Sequence, residues 1–221
     1  MNRRIPRLGI ALLAAAAVSA HADVLVTSFE TSPVISGTPD NPPYLSVGQS
    51  SAWASEGNNS LAISFDGSGG WKWIYVAGDT DGNNYFPAAT YADWYNHTRL
   101  EFDVYRPALN YGWNLEVGAA INGPQGWNQQ AGLIGWTWQN AGDDSLTTVT
   151  WDYSAIRNSA PAPGGSDWWQ LALFARTTTA GGGMAYIDNV RFVEAVPEPT
   201  AMGLLLLAGS AGWLGRRRRV S

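Results

Sequence analysis

The sequence predicts an all-β body, a two-sheet antiparallel β-sandwich of the jelly-roll kind, set between an N-terminal signal helix and a C-terminal hydrophobic helix. Three observations predict it. Roughly nine or ten short runs alternate apolar and polar residues with period two, the signature of half-buried strands. Turns rich in glycine, proline and asparagine separate them, and the chain holds 25 Gly and 12 Pro. Between the two ends, only 152–157 reads as a turn of helix.

The two ends bound the body. Arg3, Arg4 and Arg7 precede the apolar run 8–18, and Ala20-His21-Ala22 supplies a small-residue cleavage pattern. That is a secretory signal peptide over 1–22, so the mature chain begins near Asp23. At the other end, Val196-Pro197-Glu198-Pro199-Thr200 places a glutamate between prolines that block helix and sheet alike. The fifteen residues 201–215 carry no charge, and Arg216–Arg219 follow. At about 1.5 Å per residue such a helix reaches roughly 22 Å, short of the roughly 30 Å bilayer core. Trp213 and the arginines make up the difference at the interface, with the arginine side inside. Three segments result: a signal at 1–22, a β-sandwich domain at 23–195 and a sorting or anchor segment at 196–221.

The charge that bears on partners is that of the middle segment. It keeps six basic residues, Lys72, Arg99, Arg106, Arg157, Arg176 and Arg191, against seventeen acidic ones, a net charge near −11. Such a surface repels phosphate backbones and anionic lipid, which excludes nucleic acid as a partner. Cysteine is absent, so an exported fold here is held without disulfides. Only 14% of the chain is charged, while tryptophan reaches twelve. Uncharged side chains must therefore do the polar work.

Taken in order, 23–30 reads as a strand with Leu25, Thr27 and Phe29 inward, and 33–43 as a loop too broken for regular structure. Residues 60–65 alternate with Leu61, Ile63 and Phe65 inward. Along 71–76, Trp71, Trp73 and Tyr75 share one face and Ile74 and Val76 the other. Residues 99–105 turn Leu100, Phe102 and Val104 inward and Glu101, Asp103 and Tyr105 outward. Residues 112–121 turn Trp113, Leu115, Val117 and Ala119 inward, opposite Asn114 and Glu116. A polar loop is expected over 122–130, then strands over 132–138, 146–151, 168–176 and 184–193. Ile187 and Val190 are three apart, so a bulge is expected near Asp188. Trp53, Trp113, Trp151 and one of Trp168 and Trp169 are expected in the core.

Catalytic chemistry has few candidates. His97 is the one histidine of the body, which excludes a multi-histidine zinc site, and it reads as a surface loop residue. Glu101-Phe102-Asp103 resembles the start of the E-x-D-x-x-E motif of sandwich-fold glucanases, but Arg106 stands where the acid/base glutamate belongs. Sugar binding needs less: aromatic faces to stack on the C–H face of a pyranose, and amides or carboxylates for its hydroxyls. Trp71, Trp73, Tyr75, Trp127, Trp136 and Trp138 are the candidate stacking residues. Asn114, Glu116 and Gln170 are their polar neighbours, beside an amide-rich loop of Gln125, Asn128, Gln129 and Gln130.

Two resemblances follow from these residues. Pro197-Glu198-Pro199, the short hydrophobic helix and the arginine cluster resemble the PEP-CTERM sorting signal of bacterial exported proteins. That implies processing by an exosortase near Pro197–Pro199, transient anchoring in the inner membrane and delivery to the cell surface or extracellular matrix. In the body, Ser28-Phe29-Glu30, the turn 55–61 and Tyr186-Ile187-Asp188-Asn189-Val190-Arg191-Phe192 resemble jelly-roll carbohydrate-binding modules with a galactose-binding-like fold. That resemblance implies that the first and last strands lie side by side. It also implies a structural calcium (Ca2+) where they meet, with Glu30 and Asp188 as carboxylate ligands and the turn at Glu56 contributing. The expected function is binding of a polysaccharide or exopolysaccharide by an exported, non-catalytic protein. A structural surface or biofilm-matrix protein without a ligand site is the alternative, and a glycoside hydrolase the more distant one.

Overall fold

The computed structural model describes residues 22–30, 35–36, 45–65, 70–76, 88–107, 115–131, 134–136, 145–164, 168–177 and 183–194. The signal segment and the tail, with Pro197, Glu198 and Pro199, lie outside them, as do Trp113, Asn114 and Trp138.

Two antiparallel sheets make the fold. The strands are β1 (Val24–Thr27), β2 (Ile35–Ser36), β3 (Leu45–Ser50), β4 (Ser60–Phe65), β5 (Gly70–Tyr75), β6 (Arg99–Arg106), β7 (Leu115–Gly123), β8 (Gly126–Gln129), β9 (Ile134–Trp136), β10 (Ser145–Asp152), β11 (Gln170–Thr177) and β12 (Gly183–Val193). Two helices, α1 (Ala88–Asn96) and α2 (Ser154–Ser159), complete the described elements. The first sheet runs β10-β6-β12-β4-β3, with β1 on β12; the second runs β2-β5-β11-β7-β8, with β9 on β7. Their inner faces share one core. Leu61, Ile63, Leu100, Phe102, Val104 and Ile187 of the first sheet meet Ile74, Leu115, Val117, Ile121, Leu171 and Leu173 of the second, all fully buried. Period-two alternation thus decides the inside of β4, β5, β6 and β7. The bulge expected near Asp188 is present: the pairing of β12 with β6 shifts between Asp188 and Arg191, and Asn189 takes a φ of 51°.

Several expectations are corrected. β1 turns Val24 and Val26 toward the core and leaves Leu25 exposed, the reverse of the sequence reading. Its pairing with β12 shifts between Leu25 and Thr27. Phe29, at a φ of 57°, then swings inward on its own. The broken stretch before residue 43 contains β2, and β3 follows it unforeseen. The polar loop 122–130 is a hairpin of β7 and β8, with Gly126 at a φ of 85° leaving the turn.

Helix α1 was missed altogether. Tyr91 and Trp94, three apart and fully buried, are its core-facing side. Tyr91 donates to Pro161 O at 2.9 Å, and Trp94 stacks on Tyr153 at 5.8 Å and 10°. Tyr153 in turn donates to Trp94 O at 3.0 Å. His97, expected on the surface, is buried just after α1, with Nδ1 2.5 Å from Asp93 O and Nε2 3.0 Å from Ala22 O. Trp151 and Trp169 are core while Trp168 is exposed. Trp53 is not core. It is half-buried over the outside of the first sheet, stacked on Tyr105 at 5.0 Å and 18°.

Candidate functional site

The outer face of the second sheet gathers the aromatic residues. In β5, Lys72 and Ile74, and Val76 just after it, turn inward and are buried, and the pleat forces Trp71, Trp73 and Tyr75 outward. Register carries that face across the sheet. Tyr75 lies opposite Ala172, Trp73 opposite Phe174 and Trp71 opposite Arg176. Those three lie opposite Ala120, Gly118 and Glu116 of β7, and beyond them Gln129 faces Ala120 and Trp127 faces Asn122.

Small residues in the middle of this face let the large ones meet. Ala120 and Ala172 point away from the core, yet they are 0% and 1% exposed. The cover comes from Trp127, which reaches from β8 to meet Trp73 edge-on at 5.0 Å and Tyr75 at 6.3 Å. Phe174 packs against Trp73 at 4.6 Å and Trp71 at 6.3 Å, completing a continuous band of rings. Trp71 and Trp127 stay 39% and 40% exposed. Beside these rings lies a cleft of about 360 Å³, walled by Trp71, Trp73 and Phe174, by Gln129, Gln130 and Ala131, and by Arg176. Arg176 donates to Glu116, whose carboxylate raises the arginine's pKa and leaves its charge compensated.

The sequence-derived set is therefore partly assembled. Trp71, Trp73, Tyr75, Trp127 and Glu116 share the face. Gln170 shares it too but is buried, its Oε1 accepting from Asn122 Nδ2 at 2.8 Å. Trp136 lies in β9, opposite Leu115 of β7; its side chain lies outside the described residues. Phe174 and Arg176 were not foreseen. The signal was present, since 170, 172, 174 and 176 read Gln, Ala, Phe, Arg, but both faces of β11 are apolar in its middle and only its two ends, Gln170 and Arg176, mark the outside.

On the first sheet, β1 and β12 do pair, as the resemblance implied. Their carboxylates are otherwise engaged. Glu30 Oε1 accepts the backbone N–H groups of Asn58 and Asn59, each at 2.7 Å. Asp188 Oδ2 accepts those of Ser55 at 2.7 Å and Glu56 at 2.9 Å, and its Oδ1 that of Asn189 at 2.7 Å. Gly57, at a φ of 70°, is the residue over which the Glu30 carboxylate lies, where a Cβ would collide with it. Amide donors aimed at an oxygen repel a cation, and the exposed Glu56 contributes an N–H here rather than an oxygen. No group of three His, Cys, Asp or Glu side chains among the described residues is placed to hold a metal. The donor set as placed does not fit a shared calcium; both carboxylates fasten the turn 55–59. The amides of Asn59 and then Asn58 hold Glu30 below the ordinary glutamate range. Burial pushes Asp188 up, against its three N–H donors. The Glu101 and Asp103 pair is likewise committed. Glu101 binds Arg191 at 2.8 Å, and Asp103 accepts from Thr148 at 2.7 Å, Ser55 at 2.9 Å and Asn189 at 3.1 Å.

No family model and no curated protein matches the chain. Solved structures do. The body resembles carbohydrate-binding modules of the β-sandwich kind. One is the family 30 module of a cellulosomal cellulase of Clostridium thermocellum, at 13% identity and TM-score 0.49, over 80% of this chain and 100% of that one. Another belongs to a group of β-sandwich modules described as promiscuous in specificity, at 13% and 0.48, over 77% of this chain; this chain spans 62% of that one's length. A third is the family 11 module from Clostridium thermocellum, in complex with a β-1,3-1,4-mixed-linked tetrasaccharide, at 14% and 0.45, over 81% and 100%.

Proposed function

We propose that this protein is an exported, non-catalytic β-sandwich that binds polysaccharide on the outer face of its second sheet. One observation carries the reading: two tryptophans stay well exposed on a band of five aromatic rings beside an open cleft. A pyranose offers an apolar C–H face to such rings, while its hydroxyls face Gln129, Gln130 and the Arg176–Glu116 pair. Exposed apolar patches of this kind mark interaction sites. A durable spacer would gain nothing from leaving Trp71 and Trp127 in water. A glycan array probed with the exported protein, in parallel with its Trp71→Ala and Trp73→Ala variants, tests this. Retention by the wild type and loss in both variants is the expected result; no retention, or equal retention by all three, sinks it.

The same proposal includes the route. The segment 1–22 directs export, and 196–221 sorts the protein to the surface through an exosortase, as the PEP-CTERM resemblance implies.

A further inference from the structure

A second group of aromatic and polar side chains lies on the outer face beyond the cleft. Trp169 and Leu171 belong to the core, so alternation turns Trp168 and Gln170 outward. Trp168 is 41% exposed, and its backbone O lies 3.3 Å from where a Cβ on Gly123 would stand, at the end of β7. Asn122, next to Gly123, faces Gln170 on one side and Trp127 on the other. Two exposed tryptophans, Trp127 and Trp168, therefore flank Asn122 and Gln170.

Between these two tryptophans the floor is an amide pair. Asn122 Nδ2 donates to Gln170 Oε1 at 2.8 Å. Each carboxamide has one donor atom and one acceptor atom, so this bond leaves Asn122 Oδ1 and Gln170 Nε2 without a partner among the described residues. Gln170 is only 5% exposed, yet neither remaining atom is sealed from solvent. An acceptor and a donor in one pair match two neighbouring hydroxyls of a sugar, each of which can give or take a hydrogen bond. Exchanging oxygen and nitrogen in both amides leaves the same set.

We infer that Trp127, Trp168 and the Asn122–Gln170 pair form a second sugar subsite, which takes a neutral pyranose unit with two adjacent free hydroxyls; the inference rests on the polysaccharide-binding reading above. The length of the ligand follows. β11 carries Arg176 at the cleft, and Trp168 stands eight residues before it, about 27 Å at the rise of a strand. One polymer reaching from cleft to subsite spans several units, so the face reads an internal stretch of chain. Linkage then decides the fit. An internal unit joined through O4 keeps its hydroxyls at carbons 2 and 3 adjacent, whereas a glucose joined through O3 keeps no two adjacent. A site built to hydrogen-bond a hydroxyl rejects a ligand that lacks one, because its own polar group is then left unpaired.

The test is calorimetric titration of the exported protein and its Trp168→Ala and Trp71→Ala variants. The ligands are 4-linked oligosaccharides of glucose, xylose and mannose, three and six units long, and the 3-linked glucose hexamer. The wild type is expected to bind at least one 4-linked hexamer about tenfold more tightly than its trimer, and more tightly than the 3-linked hexamer by a similar factor. Trp168→Ala is expected to melt as the wild type does, because its ring is exposed, and to lose the gain from trimer to hexamer. If that variant melts early, the length and linkage preferences of the wild type decide alone. Equal affinity of the wild type for trimer and hexamer, a gain that persists in Trp168→Ala, or equal binding of the 3-linked hexamer overturns the subsite while the face still binds polysaccharide. Unchanged hexamer affinity in Trp71→Ala overturns the binding reading itself, and a wild type that binds none of these sugars overturns both.

Discussion

Glu30 and Asp188 carry opposite pH signatures although they fasten the same turn. Backbone amides favour the ionised form of Glu30, so its folded pKa lies below its unfolded one. The stability it contributes is present above the ordinary glutamate range and is lost as pH falls through the lowered value. Asp188 is raised by burial, so its contribution is present in acid and is lost as pH rises through the ordinary aspartate range to the raised value. Glu30→Gln is expected to make the acid-side fall in melting temperature shallower, and Asp188→Asn to remove the opposing slope; thermal melts across pH 3–7 check both. A Glu30→Gln profile as steep as the wild type's excludes the turn as its origin. Because N–H donors occupy both carboxylates, melts in calcium and in chelator are expected to superimpose. A rise of several degrees in calcium means that these amides give way to the ion. At the binding face, Trp71→Ala is expected to cost about 2 kcal/mol of glycan binding. It should cost stability much less than the roughly 3–5 kcal/mol of a core Trp→Ala.

At the scale of elements, helix α1 and strand β7 make contrasting demands. Trp94 is fully buried and stacked on Tyr153, so Trp94→Ala is expected to lower stability by about 3–5 kcal/mol in denaturant titration. A loss under 1 kcal/mol would mean that α1 is not part of the cooperative core. Gly118 of β7 is buried opposite Phe174 on the aromatic face. Gly118→Val is expected to press on the Phe174 ring, lowering glycan binding and melting temperature together. Undiminished binding would place the ligand elsewhere on the face. Period two made β4 to β7 legible, because each has one plainly apolar face. It failed at β1, where a bulge reverses the faces, and at α1, whose aromatic residues carry strand propensity and few polar contrasts. In the site, Trp71, Trp73 and Tyr75 were readable from Ile74 and Val76 alone. Trp127 as a cover over Ala120 and Ala172 was not, since it depends on pairing between strands far apart in sequence.

Over the whole molecule, the two ends of the domain meet on one strand. β12 lies inside the first sheet, with β6 along one side and β4 and β1 along the other, and it ends at Val193. The proline-flanked segment that the proposal assigns to an exosortase begins three residues later, at Val196. Cutting near Pro197–Pro199 therefore removes no strand of the described sheets and no hydrogen bond given above. The surface-localised protein is expected to have lost residues 201–221 by intact mass, and to melt at the same temperature as the unprocessed chain in detergent. Retention of those residues at the surface refutes processing. A processed form that melts several degrees lower would show that the tail packs on the sandwich, making it part of the fold and not only an address.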